Sequence, residues 1–171
     1  MEKNNVSITF KGNPMTLLGN EIKVGQKAPD FTGIGGAMNP VKLSDQEGKV
    51  VILSVFPSID TGVCATQART FNKLAADLGD DVAILGISKD LPFALNRFCG
   101  AEGIDKVTTL SDFRDLGFAA NYGYFINELG LLARGIVVID KAGVVQHVEY
   151  VAEATDEPNY AAALDVAKSL V

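Results

Sequence analysis

The segment that most constrains the fold of this chain is residues 50–78, where a continuous apolar run is followed by a helical pattern. In residues 50–56 only Ser54 interrupts the apolar run, which is typical of a strand buried on both faces of an α/β sheet. After Pro57, apolar residues recur at helical spacing along one stripe. The stripe contains Cys64, Ala68, Phe71, Ala75 and Leu78, with Leu74 beside it and Gly79 as the predicted end of the helix. A second apolar run at residues 82–87 then predicts a β-α-β unit with parallel strands.

The rest of the chain adds elements on both sides of this unit. The predicted elements are an N-terminal hairpin (6–10 and 15–18), a flexible loop (33–40), a short strand (41–43), a helix (91–99) with Asp90 as its N-cap and Gly100 as its end, a weak strand (107–110), a short helix (112–120), a strand (135–140) with its antiparallel return (144–151), and a closing helix (157–170). This order predicts one α/β domain over residues 1–171 with a thioredoxin-like fold, in which helices flank a central mixed β-sheet and an N-terminal β-hairpin is added.

The composition argues against several classes of function. The chain has 171 residues, 47% of them apolar, which is enough for one domain with a full core. Its 15 basic and 21 acidic residues give a net charge of −6 without a cluster of Lys and Arg, so we expect no nucleic-acid partner. His147 is the only histidine, which excludes a multi-histidine metal site within one chain, and we expect no metal and no cofactor.

The N-terminus and the hydropathy pattern bear on localisation. Residues 1–10 lack the charged and then apolar pattern of a signal peptide, and no apolar run approaches the length that crosses a bilayer. We therefore expect a soluble, cytoplasmic protein without a membrane partner, unless a leader was removed before residue 1. Two cysteines are too few for a disulfide-stapled secreted domain, so in a reducing compartment they are either inert core residues or reactive ones.

Cys64 is the first candidate for reactive chemistry because it lies in the first turn of the predicted helix. Unpaired backbone N–H groups and the positive end of the helix dipole stabilise a thiolate there, and the thiolate is the form that reacts. Thr61, three residues earlier, can cap the helix or donate a hydrogen bond to the sulfur. Position alone leaves an inert buried cysteine equally open, because Cys64 also falls on the apolar stripe.

Cys99 is the second cysteine and has the opposite placement. At the C-terminal end of its predicted helix, unpaired carbonyl groups disfavour a thiolate, so Cys99 is a poor first nucleophile. It can still attack an oxidised sulfur or leave in thiol exchange, and the alternative is a core-facing cysteine beside Phe98. The absence of a C-x-x-C pair excludes an adjacent dithiol of the thioredoxin type.

Residues 57–64 read PSIDTGVC and match the active-site pattern P-x-x-x-[TS]-x-x-C of the peroxiredoxin family. The longer run PSIDTGVCATQARTFN resembles the thiol peroxidase branch of that family. The resemblance covers essentially the whole chain, including the N-terminal hairpin, the run RFCGAEGI around Cys99 and the run LLARGIVVID around Arg134. No residue of the motif departs from the pattern.

The resemblance implies a role for each residue of a site. Cys64 would be the peroxidatic cysteine, which attacks the peroxide O–O bond and becomes a sulfenic acid. Thr61 would hydrogen-bond the sulfur and the peroxide, and Pro57 would shield the pocket from water. Arg134 would place its guanidinium beside the thiolate and the peroxide. Cys99 would be the resolving cysteine, which forms an intrachain disulfide with Cys64 that a thioredoxin then reduces.

The resemblance also implies substrates and partners. The chain would reduce hydrogen peroxide and organic hydroperoxides to water and alcohols, in antioxidant defence and redox homeostasis. The family usually forms homodimers, and the loop at residues 121–132 is our candidate for a surface that a partner subunit covers. This loop carries Tyr122, Tyr124, Phe125 and Leu129. The alternative, equally open, is that these side chains fold onto their own core.

Several expectations remain beside this interpretation. A redox sensor that uses the same two cysteines to change a surface, or a structural domain with inert cysteines, would account for the same thiols.

His147 is expected to be solvated or hydrogen-bonded, and Arg69 to be solvated. Because a disulfide needs Cα atoms within about 7 Å, we also expect that a helical turn at Cys64, Cys99 or both unwinds when the disulfide forms.

Overall fold

The computed structural model describes all 171 residues and contains eleven strands and four α-helices. The strands are β1 (Lys3–Phe10), β2 (Asn13–Leu18), β3 (Thr32–Ile34), β4 (Pro40–Lys42), β5 (Val50–Val55), β6 (Val82–Ser88), β7 (Thr108–Ser111), β8 (Phe125–Ile126), β9 (Leu131–Leu132), β10 (Gly135–Ile139) and β11 (Val145–Tyr150). The helices are α1 (Gly62–Leu74), α2 (Pro92–Glu102), α3 (Gly117–Tyr122) and α4 (Tyr160–Ser169), and short 3-10 turns cover Leu43–Gln46 and Ala75–Asp77. No helix is both long and apolar enough to span a membrane.

A seven-stranded mixed sheet forms the centre of the molecule, in the order β11-β10-β5-β6-β7-β3-β4. Strand β5 runs parallel to β6, with Val50 opposite Val82, and antiparallel to β10 on its other side. The predicted β-α-β unit with parallel strands is therefore confirmed. All six residues of β5 are buried, as its apolar run predicts for a central strand covered on both faces.

Alternate residues of β5 face two separate hydrophobic cores. Val51, Leu53 and Val55 pack with the N-terminal hairpin and with aromatic residues from α3 and the segment after it. Those aromatic residues are Phe118, Tyr122 and Tyr124. Val50 and Ile52 face the opposite side, where they pack with residues of α1, α2 and α4. Helix α1 follows β5 in the chain and packs on this second face, so the second core contains Cys64 as well.

The hydrophobic segment at residues 121–132 is organised differently from the expected loop. Strands β8 and β9 pair with each other, and β8 also pairs with β2, so the N-terminal hairpin and this segment form one four-stranded sheet. Tyr122 and Tyr124 are fully buried in their own chain, and their hydroxyls donate to Pro29 O at 2.7 Å and Glu149 O at 2.8 Å. For these two tyrosines the alternative of packing onto their own core is the one that holds.

The boundaries of α2 correct the prediction for the Cys99 helix. The helix continues through Gly100 to Glu102 and ends at Gly103, whose φ of 66° lies in the left-handed region that glycine adopts readily. The N–H groups of Gly103 and Ile104 both bond to Cys99 O, so Cys99 lies in the last turn rather than at the end. Asp90 is not the N-cap, because that position belongs to Leu91.

Three further predictions were wrong in their boundaries. The expected loop at residues 33–40 is shorter than predicted, because its first two residues belong to β3, which extends the central sheet beside β7, and Pro40 belongs to β4. Helix α1 ends at Leu74, with a 3-10 turn before Gly79. Helix α3 begins at Gly117 rather than at Asp112, whose carboxylate accepts hydrogen bonds from the first-turn N–H groups of the helix instead.

His147 has an environment that the sequence did not indicate. It lies opposite Val138 on β11, and its Nε2 atom is buried without a hydrogen-bond partner. Burial lowers the pKa of His147 below its ordinary value of 6.5, although the nearby Glu149 carboxylate acts in the other direction. The expectation of a solvated or hydrogen-bonded ring was therefore wrong for this nitrogen.

This burial predicts a specific loss of stability in acid. The unfolded chain takes up the His147 proton near pH 6.5, whereas the folded chain does so only at lower pH, so the free energy of unfolding falls as the pH drops through this interval. Urea unfolding at about pH 7.5 and about pH 5.5 measures the decrease. In a His147→Leu variant we expect a smaller decrease over the same interval. An identical decrease in both proteins would show that His147 contributes nothing to it.

Candidate active site

Cys64 is placed by the capping of α1. Thr61 adopts an extended conformation as the N-cap residue, and its side-chain oxygen accepts a hydrogen bond from Cys64 N at 3.4 Å. The Thr61 hydroxyl donates in turn to Ser58 O at 3.1 Å, so its proton is directed at the backbone rather than at the sulfur. The sequence folds this way because a threonine at the N-cap satisfies a backbone donor that the first helical turn leaves free.

The Cys64 sulfur is fully buried and lies between two hydrogen-bond donors. Nη2 of Arg134 donates to Sγ at 3.3 Å, and the backbone N–H of Ser58 donates to it at 3.5 Å. Both donors interact more strongly with a sulfur anion than with a neutral thiol, whereas burial alone favours the neutral form. The geometry therefore suits a thiolate that is buried between two donors.

Arg134 is the most constrained charged residue of the site, with an exposure of 2%. Its Nε donates to Ala154 O at 2.9 Å and its Nη1 donates to Gln67 Oε1 at 2.8 Å, which leaves Nη2 for the sulfur. The ion pairs of the structure do not include Arg134. A buried guanidinium without a carboxylate is costly, so a Cys64 thiolate is the anion that best completes its environment.

Gln67 is a site residue that the sequence analysis missed. It is fully buried on α1, where its amide oxygen accepts from Arg134 and its amide nitrogen donates to Ser54 Oγ at 2.9 Å and Val55 O at 3.2 Å. The sequence carried one usable signal, because Gln67 stands three residues after Cys64 and so shares its helical face. A polar residue on a buried face needs a partner, and here the partner is the arginine.

Asp90 holds the loop that precedes Cys64. Its carboxylate accepts from Ser58 Oγ at 2.8 Å, Ile59 N at 2.8 Å and Ser88 Oγ at 2.7 Å. Pro57, which begins this loop, is buried. Because the Ser58 amide is one of the two donors to the sulfur, Asp90 ties this donor to the segment that leads into α2.

Cys99 lies apart from this cluster. It is a free cysteine, as Cys64 is, and its sulfur lies 3.7 Å from Thr109 Oγ1 on β7. Burial raises the pKa of the Cys99 thiol, and the Thr109 contact opposes that shift. The structure thus brings Cys64, Thr61, Pro57 and Arg134 together, whereas Cys99 packs against the same hydrophobic core from α2.

Arg69 links the two cysteine-bearing helices at the surface. Its Nε lies 2.8 Å from Glu102 Oε2, and its guanidinium lies over the Phe98 ring at 5.7 Å. The Arg69 side chain is 50% exposed. The expectation that Arg69 is solvated is therefore partly correct, but it did not include this ion pair. No group of three or more His, Cys, Asp or Glu residues that could hold a metal ion is present.

Comparisons with known proteins bear on the family to which this chain belongs. The sequence profile of the Redoxin family matches residues 23–164. The thiol peroxidase of Bacillus subtilis (strain 168) is 56% identical over 96% of this chain and 98% of its own length, and that of Streptococcus pneumoniae (strain ATCC BAA-255 / R6) is 46% identical over 95% and 99%.

A likeness to solved structures supports the same assignment. The peroxiredoxin-like protein from Aquifex aeolicus superposes with a TM-score of 0.92 at 36% identity, over 100% of both chains. The 2-Cys peroxiredoxin of Plasmodium vivax in its reduced form gives a TM-score of 0.71 at 26% identity, over 85% of this chain and 94% of that one. These likenesses confirm the predicted thioredoxin-like fold. The chain therefore belongs to the redoxin family and, within it, to the thiol peroxidase branch of the peroxiredoxins.

Proposed function

We propose that this protein is a thiol-dependent peroxidase that reduces hydrogen peroxide and organic hydroperoxides at Cys64. One observation carries the proposal: a buried guanidinium without a carboxylate partner lies 3.3 Å from a fully buried cysteine sulfur. Such a cation stabilises the thiolate before the reaction and the negative charge on the departing oxygen during it. An inert structural cysteine would have no need of this buried charge.

The reaction begins when the Cys64 thiolate attacks one oxygen of the hydroperoxide. The S–O bond forms as the O–O bond breaks, so the sulfur is oxidised to a sulfenic acid and the second oxygen leaves as hydroxide or alkoxide. The leaving oxygen takes from solvent a proton equivalent to the one that the Cys64 thiol lost on ionisation, and it departs as water or an alcohol. In this proposal Arg134 holds the thiolate and the leaving oxygen, Thr61 positions the peroxide at the helix start, and Pro57 keeps water out.

Cys99 completes the cycle in this proposal as the resolving cysteine. Its sulfur attacks the Cys64 sulfenic acid, which releases water and forms an intrachain disulfide. A thioredoxin then reduces the disulfide by two successive thiol exchanges and is itself oxidised. The raised pKa of Cys99 supports this order of events, because a protonated thiol does not compete with Cys64 for the peroxide.

We propose that formation of the disulfide requires a change of conformation. Cys64 lies in the first turn of α1 and Cys99 in the last turn of α2, and both helices are intact while both thiols are free. The exposed Arg69–Glu102 ion pair joins the two helices but contributes little stability at the surface, so it can open easily. Unwinding at one or both cysteines would bring the Cα atoms within about 7 Å.

We further propose that the protein works in the cytoplasm as a homodimer. Two large apolar side chains at the start of α2 support the dimer, because Leu91 is 50% and Phe93 is 65% exposed. Phe125 and Leu129 keep part of their surface, whereas Tyr122 and Tyr124 are already buried within the chain. A partner subunit is therefore better accommodated at the start of α2 than on the two tyrosines.

The first prediction from this proposed function separates the two thiols. A Cys64→Ser variant should consume no hydroperoxide above background, because its hydroxyl is not ionised at neutral pH. A Cys99→Ser variant should be oxidised once per chain but should not cycle with thioredoxin. Hydroperoxide consumption coupled to thioredoxin oxidation measures both effects. Full turnover in the Cys64→Ser variant would refute the peroxidase, and a slow wild-type reaction with a redox-dependent partner would favour a sensor instead.

The second prediction concerns the support of Arg134. A Gln67→Met variant keeps the volume of the side chain but removes the acceptor for Nη1, so the guanidinium loses one of its fixed contacts. We expect a peroxide rate constant lower by about 10-fold, since oriented donors at developing charge contribute about this much or more. Stopped-flow measurement of Cys64 oxidation tests this. A Gln67→Glu variant is the matched control, because it restores an acceptor but adds a competing anion.

The third prediction concerns the disulfide. Oxidation with one equivalent of peroxide should reduce the protection of backbone amides in the first turn of α1, the last turn of α2, or both. Native-state hydrogen exchange of the reduced and oxidised protein measures this, with α4 as an internal reference that should not change. Protection retained throughout α1 and α2 in a protein with a complete disulfide would show that no unwinding is required.

A further inference from the structure

The N-terminal hairpin lies entirely outside residues 23–164, which match the Redoxin profile, and the proposed reaction gives it no role. Yet its first strand contacts the segment that follows β11. Thr9 N donates to Ala152 O at 2.7 Å, and Ala154 N donates to Thr9 O at 2.8 Å. These two bonds attach residues 152–154 to the hairpin as a short parallel bridge.

Glu153 reinforces this attachment with its side chain. One carboxylate oxygen accepts from Gly12 N at 2.7 Å and from Thr9 Oγ1 at 3.0 Å. The other accepts from Lys11 N at 3.3 Å and from Thr155 at both N, 2.9 Å, and Oγ1, 2.7 Å. These donors, those of Thr155 first, lower the pKa of Glu153 to about 2, so the carboxylate is ionised at every pH at which the enzyme would work.

Ala154 connects the hairpin to the active site. Its N–H bonds to Thr9 on one side, while its carbonyl accepts from Arg134 Nε at 2.9 Å on the other, and the residue is fully buried. The Arg134 backbone is bound to the same segment, because Val151 N donates to Arg134 O at 2.9 Å. The hairpin and the catalytic arginine therefore contact the same short segment from opposite sides.

Because the guanidinium group of Arg134 is planar, its contacts with Ala154 and Gln67 also determine where Nη2 lies. Once Nε is fixed on Ala154 O and Nη1 on Gln67 Oε1, the plane and rotation of the group are determined, and Nη2 falls on the Cys64 sulfur. If the Ala154 carbonyl moved, the guanidinium would lose one of its two supports. A shift of about 1 Å at such a contact is enough to weaken it substantially.

We propose that the N-terminal hairpin is a positioning element of the active site, which acts through Glu153 and the Ala154 carbonyl to hold Arg134 against the Cys64 sulfur. This proposal rests on the proposed function for its kinetic consequence. Its structural part, the orientation of Arg134 toward the thiolate, can be tested without any peroxide. Glu153 makes no hydrogen bond to the Cys64 sulfur or to Arg134, and it is therefore a positioning residue.

The test compares Glu153→Gln with a matched control, Glu128→Gln. Glu128 also joins the hairpin to the rest of the chain, because its carboxylate accepts from Thr16 N at 3.1 and 2.9 Å. No hydrogen bond or ion pair of Glu128 leads to Arg134. Both changes preserve side-chain shape and remove a charge that binds a hairpin amide. The control therefore reports what loosening of the hairpin does by itself.

Each variant is made in a Cys99→Ser background, so that Cys64 is the only thiol. The pH midpoint of Cys64 alkylation by iodoacetamide reports how well the thiolate is stabilised. We expect Glu153→Gln to raise this midpoint by about 0.5 to 1 pH unit and to slow the hydroperoxide reaction about 3- to 10-fold. Glu128→Gln should leave both quantities unchanged. A negligible rate of reaction with hydroperoxide in the Cys99→Ser protein itself would refute the proposed peroxidase function. The alkylation midpoints would still decide the hairpin proposal in that case.

An Arg134→Lys background supplies the second arm of the test. Lysine cannot bond Ala154 O and the sulfur at once, so Glu153→Gln should change the alkylation midpoint little in this background, which makes the two substitutions non-additive. Equal shifts from Glu153→Gln and Glu128→Gln, no shift from Glu153→Gln, or full additivity with Arg134→Lys would overturn the proposal. If Glu153→Gln does not fold, Thr9→Val removes one donor and keeps the backbone bonds, and a shift of the same sign is then required.

Discussion

The burial of one positive charge organises much of this structure. Arg134 lies in the interior without a carboxylate, a situation that costs on the order of several kcal/mol per ion unless oriented acceptors replace water. A backbone carbonyl from the segment after β11, an amide oxygen from α1 and the Cys64 sulfur take that place. Two of these acceptors lie on α1 and the third lies in the segment after β11, so the charge can be satisfied only when the sheet, α1 and that segment are assembled together.

The same core gives the two cysteines opposite chemical environments. Cys64 faces a cation and a backbone donor at the start of α1, which favour its anion. Cys99 lies in the last turn of α2 beside Thr109, where burial raises its pKa and keeps it protonated. These surroundings support the proposed division of labour between a reactive and a resolving thiol. Asp90 links the two regions, because it binds the loop before Cys64 and directly precedes the helix that carries Cys99.

The local pattern of the chain predicted much of the architecture. The apolar run of β5, the stripe of α1 and the hairpin were each visible because burial imposes a period of two or 3.6 residues on the sequence. The sequence did not locate the end of α2, since Gly100 and Gly103 both stand near it and either could end a helix. Only Gly103 takes the left-handed conformation, and the helix ends there. The position of Asp90 suggested a helix cap, yet its carboxylate binds a loop from another element.

The sequence by itself determined the type of fold, the first-turn position of Cys64 and, through the motif around it, the family. These properties depend on short-range spacing, which a linear pattern records. The tertiary structure alone decided that Gln67 and the Ala154 carbonyl orient Arg134, that Glu153 ties this segment to the hairpin, and that Tyr122 and Tyr124 fill the core. Those contacts join distant segments, as Arg134 and Cys64 do across 70 positions, and packing rather than spacing brings them together.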